Sequence, residues 1–233
     1  MKHARVVAVA LVVLGANACA LFSKGDVPMR RYFSPELSAA SPAPGVAHSN
    51  LELRLGRVTA GPFLGERIMF RESEHEVGFY DDRLWTEKPE AYLKRGLTRV
   101  LFEEQGLVRV MRGAAPTLDV ELISFEEVKA PARVARVKVA FSVGDERIVS
   151  VQQTLSVERP IAAAAKGAEA GAVAQAMGEA LRDAVYEVSG RVASDLAKAA
   201  PAIARCPVAS EGLDPILSRL TRRGPCAGAA HRA

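Results

Sequence analysis

The residue types that most often carry catalysis, metal binding or nucleic-acid recognition are scarce in this sequence. Aromatic residues make up 6% of the 233 residues, and there are only 4 histidines and 3 cysteines. The catalytic patterns GxSxG and HExxH, the Walker glycine loop with its lysine and the dinucleotide-binding GxGxxG are all missing. Acidic and basic residues interleave and the net charge is only +4, so no segment forms a basic stripe. These absences argue against an enzyme of a familiar class and against a nucleic-acid-binding protein.

One histidine lies among acidic residues, where His75 interrupts the run Glu72–Glu76. Carboxylates around an imidazole can bind a divalent cation. A second group of ligands is missing, however, and the run joins two predicted strands, where it would be exposed. We interpret it as a solvated hairpin tip, and we expect no metal, no cofactor and no catalytic residue in this chain.

The N-terminus is typical of an exported protein. A basic start precedes an apolar run, residues 6–14, and small residues then lead to Cys19. The run is shorter than the roughly 20 residues of a membrane-spanning helix, so residues 1–18 are predicted to be a secretory signal peptide. The residues around the cleavage site resemble a bacterial lipobox, in which the cysteine is acylated and becomes the new N-terminus. An ordinary soluble signal peptide, cleaved after Ala18, fits the same residues.

Acylation of Cys19 would hold the protein at a membrane. One acyl chain binds a bilayer only marginally, because each buried methylene contributes about 0.8 kcal/mol, whereas the several chains of a bacterial lipoprotein anchor it firmly. In such lipoproteins an aspartate after the cysteine retains the protein at the inner membrane, and this chain has Ala20 there. The resemblance therefore implies an outer-membrane lipoprotein that faces the periplasm, with the inner membrane as the alternative.

The two remaining cysteines, Cys206 and Cys226, lie in a tail that comprises residues 205–233. Exported bacterial proteins meet an oxidising environment, so a disulfide between these cysteines is one interpretation. In the chain-entropy model such a bridge would stabilise the fold by roughly 3 kcal/mol. Spacing alone does not establish pairing, so two unpaired thiols are the alternative.

The first half of the chain predicts strands followed by a helix. Residues 19–50 contain a short predicted strand, Arg31–Phe33, and then a loop rich in proline, serine and alanine. From Leu51 apolar residues alternate with polar ones, which predicts a half-buried strand and two shorter strands after it. After Trp85, apolar residues three and four positions apart predict a helix that Gly106 ends.

The second half is periodic over longer stretches. The alternation that begins at Leu118 changes phase after Leu122, which predicts a strand with a β-bulge. Residues 134–157 alternate around a Gly-Asp turn and predict a long antiparallel hairpin. Residues 168–200 carry an apolar stripe at helical spacing and predict a long helix that Pro201 ends.

These segments together predict an α+β fold. The strands come in groups, with too few helices between them for a parallel crossover at every strand. We therefore expect a single domain, residues 51–204, with a mixed, largely antiparallel sheet. Two main helices would pack on this sheet, one short and one long and C-terminal.

An aromatic cluster precedes the first predicted helix and contains Tyr80, Arg83 and the only tryptophan, Trp85. One interpretation is packing, with the aromatic rings fixing the helix on the sheet and Arg83 paired with an acidic neighbour. Because aromatic residues and arginine are enriched in binding hot spots, the alternative is a partner or self-association surface formed by the three residues.

The order of these features resembles that of the ABC-type transport auxiliary lipoproteins. The later hairpin and the long C-terminal helix follow the order of elements in that family. The more specific points of resemblance are lipobox Cys19, the aromatic strand Arg31–Phe33, the strand at residues 51–58, the segment 61–71, and Tyr80 to Trp85 with Pro89 opening a helix.

The resemblance implies a non-enzymatic component of an envelope phospholipid transport system. Such a component works with an ABC permease, its ATPase and a substrate-binding protein of the mammalian-cell-entry (MCE) type, and it is bound to the membrane through its lipid anchor. It could also assemble as a homo-oligomer around the proteins it docks. The alternative functions are a stand-alone periplasmic lipid-binding carrier with an apolar cavity between strands and long helix, and a hydrolase with an unfamiliar site.

Overall fold

The computed structural model of the protein describes residues 29–35, 49–145 and 148–203. These residues form two helices, a π-helical turn and eight strands. The helices are α1, Pro89–Thr98, and α2, Glu169–Ile203, and the π-helical turn is Arg99–Glu104. The strands are β1 Arg31–Phe33, β2 Glu52–Ala60, β3 Arg67–Arg71, β4 Val77–Trp85, β5 Val108–Arg109, β6 Thr117–Val128, β7 Val134–Gly144 and β8 Val149–Pro160.

The strands join in one mixed sheet with β6 at its centre. On one side β6 pairs antiparallel with β7 over its whole length, and β7 pairs antiparallel with β8. On the other side β6 pairs in parallel with β2 over its first half and with β3 over its second half. β4 joins β3 antiparallel, while β1 joins β4 and β5 joins β2 in parallel. The longest pairings are antiparallel, so the predicted α+β fold with a mixed sheet is confirmed.

The sheet has a helix face, on which both helices pack, and an open face on the opposite side. The alternation of buried and half-exposed residues along the strands distinguishes the two. In β7 every second residue is buried, and the residues between them are half-exposed. In β6 the alternation shifts at Ile123, which is the extra residue of a bulge opposite β7, so that Phe125 returns to the helix face. The predicted bulge near Leu122 is therefore confirmed.

Both helices pack on the helix face, and α2 contacts β6, β7 and β8 as well as α1. Pro89 occupies the first turn of α1, where its missing N–H leaves no hydrogen bond unmade. Gly106, with a φ of 66°, ends the helical segment as predicted. The two helices approach closely at Gly96, where an added Cβ would lie 3.0 Å from Val185 Cγ2.

Two boundaries differ from the predicted ones. The last of the three strands predicted after Leu51 is not short. It is β4, which extends from Val77 to Trp85 with β3 on one side and β1 on the other. The long helix continues past Pro201 to Ile203, where the missing N–H of a proline removes only one bond of the last turn. In the three described ranges no helix is long and apolar enough to cross a membrane.

We name the two ends of the domain after the residues at the two ends of β6, the Val128 end and the Thr117 end. At the Val128 end, the Arg31 side chain of β1 donates a hydrogen bond to the carbonyl of Gly167, just before α2 begins. At the Thr117 end lies the turn between β7 and β8, toward which α2 runs. The chain therefore enters the domain at the Val128 end.

Candidate functional site

Two consecutive glutamates, Glu126 and Glu127, are the only charged side chains that are fully buried among the described residues, with exposures of 0% and 1%. Both lie on β6 near the Val128 end. Neighbouring residues of a strand point to opposite faces of the sheet, so Glu127 lies on the helix face and Glu126 on the open face. A buried carboxylate is costly unless it is paired, so each glutamate needs its own cation.

On the helix face, Glu127 accepts hydrogen bonds from two side chains. The Tyr80 hydroxyl donates to Glu127 Oε2 at 2.8 Å, and Arg133 Nε donates to Oε1 at 2.6 Å. Burial, and after it the hydrogen bond to Glu127, raises the pKa of Tyr80 from 10.0 to about 12. The hydroxyl is therefore protonated at neutral pH and donates its hydrogen bond to the glutamate.

The ring of Tyr80 is enclosed by further cations and another ring. Its centroid lies 4.8 Å from that of Phe70, and the guanidinium carbon of Arg83 lies 4.1 Å from the Tyr80 centroid. Lys129 Nζ lies 3.7 Å from the Phe70 centroid and 2.6 Å from Glu72 Oε2. A cation over the face of an aromatic ring is attracted by the ring quadrupole, so Arg83 and Lys129 both have favourable partners within the domain.

On the open face, Glu126 takes part in a row of alternating charges. Arg71 Nε lies 3.1 Å from both of its carboxylate oxygens, and a terminal nitrogen of Arg136 lies 3.5 Å from Oε1. Arg136 Nε also contacts Glu158 Oε1 at 2.7 Å. The row runs across β3, β6, β7 and β8, and opposite charges on adjacent strands stabilise that pairing.

The arrangement has a structural role and does not form a catalytic constellation. Both buried carboxylates are neutralised by arginine, and the Tyr80 hydroxyl donates its hydrogen bond to Glu127. Within the part of the chain that the structure describes, no three His, Cys, Asp or Glu side chains converge to hold a metal. His75 is exposed in the turn between β3 and β4, as the hairpin-tip interpretation predicts.

The structure separates the three residues of the aromatic cluster. Trp85 is 1% exposed, and its ring lies 5.2 Å from that of Phe125 in the core. A surface role for Trp85 is therefore wrong, because its side chain is covered by the domain's own packing. Tyr80 and Arg83 lie together and are half-buried, with their contacts directed into the Glu127 network.

The sequence reasoning missed the acidic pair, Glu126 and Glu127. A signal was present, because two adjacent acids inside a strand must place one carboxylate on each face, including the face that carries the apolar residues. The arginines that neutralise them come from distant segments and could not be assigned from spacing. Cys19, Cys206 and Cys226, for which a lipid anchor and a disulfide were predicted, lie outside the described residues.

A groove of about 660 Å³ lies at the Thr117 end and is lined in part by Arg54, Arg112, Met111 and Asp145. Arg54 donates a hydrogen bond to the carbonyl of Gly113. The Met111 side chain is largely exposed. The groove therefore combines two guanidinium groups and one carboxylate with an apolar side chain.

Comparison with known proteins gives one family. The profile of the ABC-type transport auxiliary lipoprotein component matches residues 34–188, which include every strand from β2 to β8 and the first half of α2. No curated protein is significantly similar in sequence to this chain.

Among solved structures, protein XCC0632 from Xanthomonas campestris has a similar fold, with a TM-score of 0.58 and 19% identity over 71% of this chain and 99% of that one. A putative lipoprotein from Caulobacter crescentus CB15 is more distant, with a TM-score of 0.37 and 20% identity over 46% of this chain and 83% of that one. A minor lipoprotein from Acinetobacter baumannii has a TM-score of 0.39 and 12% identity over 62% of this chain and 93% of that one.

Proposed function

Since the chain belongs to the ABC-type transport auxiliary lipoprotein family, we propose that it is a non-enzymatic, membrane-anchored component of an envelope phospholipid transport system. Its partners in the system are a permease, an ATPase and an MCE-type substrate-binding protein. The family match over residues 34–188 carries this proposal. The chemistry of the domain supports it, because the buried charged groups near the Val128 end are neutralised within the fold and leave no reactive group.

The anchor in this proposal is Cys19, acylated after removal of residues 1–18. Ala20 follows it, which in lipoproteins of this kind favours transfer to the outer membrane over retention at the inner membrane. The chain from Cys19 to Met29 reaches at most about 35 Å when fully extended. The domain is then tethered by its Val128 end, and the groove at the Thr117 end points away from the point of attachment.

A domain tethered in this way positions other molecules. The ATPase supplies the energy for transport, and this chain supplies a docking point through which the MCE assembly passes lipid across the periplasm. Tyr80 and Arg83, half-buried near the tethered end, are the residues of the predicted partner surface that this role retains. Fold similarity by itself does not specify such a role, so the partners must be identified directly.

Affinity purification from cross-linked membranes of the native host tests the proposal. The tagged chain should recover the permease, the ATPase and an MCE protein. A Cys19→Ser variant is the matched control, since it keeps the folded domain and loses the acylation site. Recovery of the anchored chain from membranes without any transport component would contradict the proposed function.

The groove favours one second candidate, a lipid-binding carrier. The apolar cavity that this alternative expects between strands and helices is instead filled by the buried side chains of the core. A carrier would therefore have to hold its ligand in the groove lined by Arg54 and Arg112. Native mass spectrometry distinguishes the two functions, because a carrier retains lipid through purification and a docking module does not.

A further inference from the structure

Strand β8 leaves one of its edges uncovered. It pairs with β7 along one side, and in the described ranges no strand lies on its other side. An open edge presents unpaired N–H and C=O groups to any extended chain, so natural sheets protect their edges with charges, prolines or bulges. The protection of β8 is confined to its two ends.

At one end of β8 the pairing with β7 is irregular, and Ser150 is the extra residue of a bulge. At the other end lie Glu158, Arg159 and Pro160. Between these features the strand pairs regularly with β7 from Val151 to Val157, and none of these seven residues is charged or a proline. Within the described ranges, this stretch is therefore an edge that no charge, proline or bulge protects.

The same stretch is self-complementary. When a second copy of β8 is placed antiparallel with Gln153 facing Gln153, Val151 lies opposite Leu155 and Gln152 lies opposite Thr154. Ser156 then lies opposite Ser150. Each apolar residue meets an apolar one and each polar residue meets a polar one. Moving the two-fold axis to Thr154 would instead place Gln153 opposite Leu155, so the Gln153 register is the matched one.

We propose that β8 pairs with β8 of a second copy of this chain, antiparallel and centred on Gln153. The pairing joins the two sheets into one continuous sheet with the helices of both copies on the same face. The half-buried Val151 and the buried Leu155 then lie side by side across the junction on the helix face. Gln152 and Thr154, which are exposed in one copy, form the outer pairs on the open face.

Charge on the helix face is compatible with this junction. Arg191 donates a hydrogen bond to Gln153 at 2.9 Å and is also paired with Glu187 of its own helix. The arginine that contacts the residue on the axis is therefore already neutralised within its own copy. No like charges are brought opposite each other along the paired stretch.

A pair of double variants tests the proposal through charge. Gln152→Lys with Thr154→Lys places lysine opposite lysine twice across the axis, whereas Gln152→Lys with Thr154→Glu places lysine opposite glutamate. Both variants add charge at the same two exposed positions, whose neighbours on β7 are Ser142 and Ala140, so both should fold alike.

The measurement is the mass of the purified full chain in detergent by light scattering, over a range of concentrations. We expect a dimer for the unaltered chain and for the Lys/Glu variant. The Lys/Lys variant should self-associate at least about tenfold more weakly, since both like-charged pairs oppose the pairing. A monomer at every concentration, or an assembly that the Lys/Lys variant leaves unchanged, would overturn the proposal.

Cysteine pairing tests the register itself, in a background with Cys206→Ser and Cys226→Ser. A mixture of the Gln152→Cys and Thr154→Cys chains should form a disulfide between copies. Each variant alone should not, because its cysteines would be diagonal partners about 7–8 Å apart, beyond the reach of a disulfide. Equal cross-linking in the mixture and in the single variants would overturn the register. The transport role does not depend on either result.

Discussion

The acidic pair on β6 gives a quantitative prediction for Arg71→Met. The substitution removes the guanidinium group that contacts both oxygens of Glu126 at 3.1 Å and keeps most of the aliphatic volume. Glu126 is 0% exposed and Arg71 is only partly exposed, so water reaches the carboxylate only through the space that the missing guanidinium leaves. Its remaining cation is Arg136 at 3.5 Å, which is shared with Glu158.

Removing one partner of a buried ion pair costs about 3–5 kcal/mol, because the other charge is left uncompensated. Since Arg136 remains, we expect the lower end of that range, about 3 kcal/mol, for Arg71→Met. Adding Glu126→Gln removes the uncompensated charge, so the double variant should recover at least about half of the loss. Arg67→Met is the matched control on the same strand. Its partner Asp81 is largely exposed, so about 0–1 kcal/mol is expected.

Urea unfolding measures these differences through the fluorescence of Trp85, the only tryptophan, which is 1% exposed and so reports loss of the core. A free energy of unfolding for Arg71→Met within about 0.5 kcal/mol of that of the unaltered chain, the range typical of ordinary surface substitutions, would contradict this prediction. A double variant that loses as much free energy of unfolding as Arg71→Met and Glu126→Gln lose in total would contradict it as well.

Two further predictions concern the Tyr80 network and the helix contact. The pKa of Tyr80 is raised to about 12, so the protonated hydroxyl contributes fully to stability below pH 10, and this contribution is lost as the pH rises through 12. In urea unfolding, Tyr80→Phe should therefore lose less stability at alkaline pH than the unaltered chain does. A difference titration of tyrosinate absorbance that places Tyr80 at its ordinary pKa would contradict this. Gly96→Val should destabilise the domain by about 1–3 kcal/mol, since an added Cβ already lies 3.0 Å from Val185. Gly190→Ala on α2, where nothing lies within 4 Å of the added Cβ, should instead stabilise the domain by about 0.5–1 kcal/mol. Equal changes in stability for the two variants in thermal unfolding would contradict the close contact at Gly96.

The parts of the fold that depend on local periodicity could be predicted from the sequence. The hairpin of β7 and β8, the bulge near Leu122 and the long helix α2 each follow from the spacing of apolar residues over one continuous segment. Both α1 and the end of the helical segment at Gly106 follow from the same kind of signal. These elements needed no knowledge of distant partners.

The parts that depend on distant partners could not be predicted. β2 and β3 both pair in parallel with β6, and nothing in their own alternation distinguishes a parallel neighbour from an antiparallel one. The burial of Glu126 depends on Arg71, which is far away in the chain. The residues around Trp85 favour core packing but leave a surface position open, and the contact that places the side chain in the core comes from Phe125 on a distant strand.

In the proposed function, a lipid on Cys19 holds this domain at the envelope. Growth of cells with a radioactive fatty acid tests it most directly, with the unaltered chain compared with Cys19→Ser. We expect label on the unaltered chain, recovered with the membranes, and none on the variant. Equal labelling of the two chains, or an unlabelled protein that is free in the periplasm, would contradict it.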